Sequence, residues 1–245
     1  VVLFIAWRSI AILLTSNITV RNAMLTRQAI ASGAYLEDLR SLHPDQVWTL
    51  ERIEASLRDT LRARPDGDLW VFAYGSLMWN PMLNYLQRSA AVLRGWHRSF
   101  CLRIVAGRAT PTSPGRMLAL EQGGSTQGVA FRFSEGTLQE ELRLLWIREM
   151  AMGAYTSIWS PITLDDGSEA KAIVFVADTG RPQFQHDSTI ASIAPQIAQA
   201  QGAFGSNADY VFQLKAALDE LGTHDEYVHC LASTLAPQAN SPQTI

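Results

Sequence analysis

Residues Val71 to Pro81 read VFAYGSLMWNP: an apolar run of strand type, a Tyr-Gly-Ser-Leu turn, then a polar and proline break. A buried strand ending in such a turn presents backbone amides and a hydroxyl at one point, a place to hold an anionic group. Gly75 is expected to take a positive φ that other residues resist, turning the chain sharply, and Ser76 adds a donor. The competing reading is a plain structural turn at a strand end, and four residues alone do not separate the two.

Around this run the chain changes character at Leu69. Upstream, Val47, Leu50, Ile53, Leu57 and Leu61 recur at spacings of three and four, which predicts a helix over 45–61 that buries one stripe. Pro44 and Pro65 bracket it, so residues 1–68 read as a helical extension packed on the body of the chain. Downstream, strands are predicted at 69–73, 91–105, 117–120, 127–133 and 170–177, and the alternation of Val129, Phe131 and Phe133 implies one buried face. No GxGxxG comes after a strand, no GxxxxGK occurs, and the strand-helix alternation of a doubly wound nucleotide-binding fold is missing. The pattern predicts an α+β fold: a curved mixed or antiparallel sheet with segregated helices. Helices are expected at 137–153, where Thr137 and Glu140 suggest a capping box and Gly153 a stop, and at 188–201, 207–221 and 225–235. The polar connection 179–187 is placed to cross the face of the sheet, and a tail is expected from Pro237.

Composition narrows the function. A chain of 245 residues, 47% of them hydrophobic, buries a substantial core. Twenty basic against 23 acidic residues leave a net charge of -3 with no basic block, which disfavours nucleic acid as a partner. The opening VVLFIAWRSIAILL is apolar, but Arg8 interrupts it and there is no convincing cleavage site, so neither a membrane span nor an export signal is expected and the default location is the cytoplasm. Cys101 and Cys230 have neither CxxC spacing nor the density of a disulfide scaffold, in keeping with a reducing compartment. His224, Asp225, Glu226 and His229 cluster, but the histidines are five apart and read as a solvated helix start, so no metal is expected. A serine nucleophile is poorly supported, because GxSxG is absent and no histidine has a triad context.

Glu149 is the residue of most chemical interest. Leu142, Leu145 and Trp146 lie seven, four and three positions before it, so its side chain shares the apolar stripe, whereas Glu140, Glu141 and Arg148 fall on the flanks or the opposite side. Desolvation there raises a carboxyl pKa and makes it a usable acid or base near neutrality. The alternative is a buried glutamate satisfied by an arginine or by backbone amides.

Six segments in order, VFAYGSLMWNP, GWHRSF from Gly95, Pro114-Gly115, QGVAFRF from Gln127, WIREMAMGAY from Trp146 and GSNADYV from Gly205, resemble the ChaC family of glutathione-specific gamma-glutamylcyclotransferases. The resemblance spans about 69–235; Ala73 departs from a common glycine, and the helical extension lies outside it. It implies a gamma-glutamylcyclotransferase-like small mixed β-barrel with surrounding helices over 69–236, preceded by the extension 1–68 and ending in a tail 237–245. By resemblance, Tyr74, Gly75, Ser76 and Leu77 hold a gamma-glutamyl group, Glu149 is the acid-base residue, and Tyr155 and Tyr210 are pocket hydroxyls. Arg98 matches a family arginine, placed with the substrate-binding residues, whose role is open between pairing with a carboxylate and supporting the loop. The implied partner is a small molecule, glutathione, converted to 5-oxoproline and cysteinylglycine without metal or cofactor. A cyclotransferase for other gamma-glutamyl amines and a non-catalytic metabolite-binding protein are the alternatives, and the oligomeric state is open between monomer and weak dimer.

Overall fold

A computed structural model describes residues 25–239. The apolar opening that raised the membrane question therefore lies outside the described residues. Among those described, no helix is long and apolar enough to cross a membrane.

Five strands close into a barrel. They are β1 (Trp70–Ala73), β2 (Gln87–Ile104), β3 (Gly115–Arg132), β4 (Tyr155–Leu164) and β5 (Glu169–Ala177), in the order β1-β3-β2-β4-β5. All neighbours are antiparallel except β1 and β5, whose parallel pairing of Trp70 with Ala172 and Val71 with Ile173 shuts the ring. Every residue of β1 is buried, because one face looks into the barrel and the other is covered by helices.

Two strands differ from expectation. The predicted runs 117–120 and 127–133 are one strand, β3: the apolar pattern lapses at Gly123-Gly124, but pairing with β2 continues across a bulge at Gly95, from Arg94↔Ser125 to Trp96↔Gln122. Strand β4 has no counterpart among the predicted runs because Ser157, Ser160 and Pro161 dilute its apolar signal; Pro161 is exposed where it pairs with Lys171. The connection 179–187 runs along β2, with the Gln185 amide donating to Cys101 O (2.8 Å) and the Arg103 amide to Gln183 O (2.7 Å).

The helices before the barrel are α1 (Arg27–Ala31), α2 (Ala34–Leu42) and α3 (Leu50–Arg62). The predicted start at Asp45 moves to Leu50 because Thr49 caps α3, its hydroxyl accepting from the Arg52 amide (3.2 Å). Tyr35, Leu36, Leu39, Ile53 and Leu57 join the same core as the barrel. After β3 comes α4 (Leu138–Met150), and then, beyond β5, α5 (Ile190–Gln199), a two-residue hairpin, α6 (Asn207–Glu220) and α7 (Glu226–Ala239). The capping box expected at Thr137 does not form: that residue is already in the helical region and makes no side-chain cap bond. A capping box stands instead at α6, between Ser206 and Asp209.

Helix α4 is buried on more than one side, which corrects the single-stripe reading. Glu141, expected near the flank, is 1% exposed and meets Arg27 of α1 through two hydrogen bonds of 2.6 and 2.7 Å, with Asn84 supplying two more. Burial would raise its pKa, but the Arg27 and Asn84 donors outweigh that and hold it low. The extension thus covers the side of α4 that helical phase alone assigns to solvent.

Candidate active site

Strand β1 runs straight into the Tyr74–Leu77 loop, whose last residues form a 3-10 turn over Ser76–Met78. The Met78 amide donates to Gly75 O (2.8 Å) and the Asn80 amide to Ser76 O (2.9 Å). The first N–H groups of such a turn have no partner within it. Gly75 does not take the expected positive φ; its φ is -131°. Glycine is needed for space: a Cβ there would lie 2.7 Å from the Tyr210 hydroxyl oxygen and 3.4 Å from Leu118 Cδ2.

A cavity of about 530 Å³, within the range of small-molecule sites, opens beside this loop. Tyr74, Gly75, Ser76, Leu77, Glu149, Tyr155 and Tyr210 all line it. Seven of the eight residues singled out from the sequence therefore meet in one place. Arg98, the eighth, is almost fully buried behind the loop and does not line the cavity. Its Nε donates to Tyr74 O (2.8 Å), its Nη2 to Gln127 O (2.5 Å), and its Nη1 pairs with Asp225 (2.9 Å). The bonds match both roles left open for it: Arg98 pairs with a carboxylate, that of Asp225, and it supports the loop through Tyr74 O.

Glu149 reaches the cavity from the last turn of α4 with 17% of its side chain exposed. Arg148 Nε lies 3.0 Å from its Oε1, yet that oxygen has no aligned hydrogen bond, so the pair attracts by charge alone. Burial pushes the Glu149 carboxyl up, and the Arg148 guanidinium only partly offsets this. The result is a carboxyl that holds a proton at higher pH than an ordinary glutamate, facing an open cavity.

Three tyrosines frame it. The Tyr74 hydroxyl donates to Phe175 O (2.7 Å) and the Tyr155 hydroxyl to Leu118 O (2.9 Å). Tyr210 stands edge-on to Trp79 (5.3 Å between centroids), with its oxygen against the Gly75-Ser76 backbone. Burial raises all three phenol pKa values, that of Tyr210 to about 12, so each stays protonated.

Two residues of the site escaped sequence reasoning. Arg148 bridges α4 to the loop: Nη1 donates to Asn80 O (2.7 Å) and Pro81 O (3.2 Å), and Nη2 to Ser76 Oγ (2.9 Å). Its adjacency to Glu149 is plain in the sequence, but helical phase puts it on the wrong side. Tyr35, on α2, lines the cavity together with Leu39 and Gln46; nothing in the helical spacing of the extension marks them. No group of three or more possible metal ligands is present among the described residues.

A closed five-stranded barrel with a desolvated acid and a glycine-bearing loop in one cavity defines the class, and the chain belongs to the ChaC-like protein family, whose model matches residues 69–237. The glutathione-specific gamma-glutamylcyclotransferase of Escherichia coli (strain K12) is 46% identical over 204 residues, 83% of this chain and 88% of that one. That match is longer than the family segment, so it reaches into the helices before Leu69. Glutathione-specific gamma-glutamylcyclotransferase 1 of Homo sapiens is 30% identical over 176 residues, 69% of this chain and 79% of that one. A crystal structure of a gamma-glutamyl cyclotransferase specific to glutathione from yeast superposes with a TM-score of 0.66 at 22% identity, covering 73% of this chain and all of that one, which is a likeness of fold.

Proposed function

We propose that this protein is a glutathione-specific gamma-glutamylcyclotransferase that releases 5-oxoproline and cysteinylglycine, with Glu149 as the acid-base residue. The observation that carries the reading is Glu149 itself: a carboxyl with a raised pKa, held by the charge of Arg148 without an aligned hydrogen bond to Oε1, on the wall of the cavity that the Tyr74–Leu77 loop also lines.

That placement supports the following chemistry. The substrate brings its own nucleophile, so the protein's first task is to fold the gamma-glutamyl chain until its α-amine meets its γ-carbonyl. Glu149 takes a proton from the α-ammonium; the amine nitrogen then bonds to the γ-carbon and closes a five-membered ring. As the bond from that carbon to the cysteine nitrogen breaks, Glu149 returns the proton to the departing nitrogen; the ring nitrogen, which still carries two hydrogens, then passes its second proton through Glu149 to the released amine, so two protons move from one nitrogen to the other and nothing is consumed. A carboxyl of ordinary pKa is poorly matched to an ammonium, and desolvation of Glu149 narrows the gap. Loop amides and the Ser76 hydroxyl, which accepts from Arg148 and keeps its own proton to donate, are the donors for the developing oxyanion. Tyr155 and Tyr210 bound the space, and Arg98 holds the loop from behind.

In this reading residues 69–236 are the catalytic unit and 1–68 an extension. Cytoplasmic location agrees with two unpaired cysteines, Cys101 and Cys230. The test is 5-oxoproline release from glutathione by the purified protein and by Glu149→Gln, which keeps size but removes the base. Turnover is expected in the first and is nearly abolished in the second, with the fold retained; a folded, active glutamine variant would overturn the assignment of Glu149.

A further inference from the structure

The residues before Leu69 lie outside the segment matched to the family, yet they help enclose the cavity: Tyr35, Leu39 and Gln46 are part of its wall. Tyr35 is held firmly. It is 8% exposed, sits in the common core with Leu36 and Leu39, and belongs to a helix whose neighbour α1 is tied to α4 by the Arg27–Glu141 pair. Glu149 is close enough that its charge adds to burial in raising the Tyr35 phenol to about 12, which keeps that hydroxyl a donor throughout the working pH range.

The pocket tyrosines differ in what their hydroxyls do. Those of Tyr74 and Tyr155 are spent on backbone carbonyls, and that of Tyr210 is pressed against the Gly75-Ser76 backbone. The Tyr35 hydroxyl, on the wall of the same cavity as Glu149, makes no such bond among the described residues. Buried polar groups of this kind find partners when a ligand arrives.

We propose that Tyr35 is a substrate-binding residue of the active site, its hydroxyl donating a hydrogen bond to the gamma-glutamyl peptide beside Glu149, so that the extension completes the pocket. This rests on the cyclotransferase reading above, and binding can be separated from turnover. In a Glu149→Gln background, which cannot turn glutathione over, the Kd for intact glutathione is measured by calorimetry with Tyr35 present and with Tyr35→Phe. Loss of one hydrogen bond predicts weakening by roughly fivefold to tenfold, with an unchanged melting temperature. With Glu149 intact, Tyr35→Phe should raise KM by a similar factor and leave kcat within about twofold, a split that loss of packing would not give. An unchanged Kd in the double variant overturns the role of Tyr35. Failure of Glu149→Gln to bind glutathione at all, with no 5-oxoproline from the unaltered protein, overturns the substrate reading instead. Tyr35→Leu, which also removes the ring, should weaken binding further; affinity equal to that with Tyr35 would count against the proposal in the same way.

Discussion

Replacing Arg148 with methionine tests how loop and acid are coupled. The guanidinium makes hydrogen bonds of 2.7 and 2.9 Å to Asn80 O and Ser76 Oγ and a longer one of 3.2 Å to Pro81 O, all from a side chain that is 5% exposed. Hydrogen bonds from a charged donor contribute about 1.5 to 3 kcal/mol each. The two short bonds dominate, and the cavity lets water reach part of what is left unpaired. Methionine also restores some apolar packing, so the net loss is about 3 kcal/mol. For a chain of this size that lowers Tm by roughly 6 to 12 °C. A second effect is electrostatic. Arg148 is the one influence that lowers the Glu149 pKa, so its removal pushes that carboxyl further up. The acidic limb of the kcat/KM profile for 5-oxoproline release should therefore move to higher pH, and kcat should fall as the loop loosens. Thermal melting monitored by circular dichroism and a pH–rate profile between pH 5 and 9 make the two measurements. A Tm change under about 2 °C together with an unmoved acidic limb would refute the bridging role.

Other contacts make their own demands. Gly75→Ala places a methyl against the Tyr210 hydroxyl, so kcat/KM should drop by more than about tenfold. Adding Tyr210→Phe removes that oxygen and should recover part of the loss, and no recovery would argue against the steric cause. Because the folded pKa of Glu149 is raised, its contribution to stability is fully present below the ordinary carboxylate range and is lost as pH rises through the raised value. Glu149→Gln should then melt above the unaltered protein at pH 8 and close to it at pH 4; a pH-independent difference by calorimetry would contradict this. Asp187 is held at about 2 by the Ser192 and Thr189 hydroxyls and the Thr189 amide, so its contribution exists above the ordinary aspartate pKa and disappears as pH falls toward 2. The gap in urea midpoint between the unaltered protein and Asp187→Ala should accordingly close between pH 5 and 2.

What could be read in the chain was what depends on local pattern. The run VFAYGSLMWNP is a buried strand and turn, and the core-side phase of Glu149 holds, because both are set by residues close in sequence. Three kinds of information were not local. Arg148 and Glu141 look solvent-facing on a helical wheel, but a wheel assumes one buried side, and here α1 covers Glu141 while the segment 76–81 covers Arg148. Gly75 is glycine because Tyr210, distant in sequence, occupies the space a Cβ would need, and no turn rule encodes that. Tyr35 sits in an ordinary amphipathic helix, and only the docking of that helix turns one of its buried positions into cavity wall. The split of β3 into two runs has a simpler cause, since paired glycines at a bulge resemble a loop when the partner strand is not in view.

The ring of five strands has an arithmetic consequence. An odd number of strands cannot alternate up and down all the way round, so at least one neighbouring pair must run the same way, and here it is β1 with β5. Same-direction neighbours release their chains at the same rim. The Tyr74–Leu77 loop therefore leaves the barrel beside the exit of β5, and the Tyr74 hydroxyl reaches across that seam to Phe175. Phe175 and, farther along the departing chain, Gln183 both face the cavity. Strand parity thus requires one such seam in the ring, and the cavity here opens beside it.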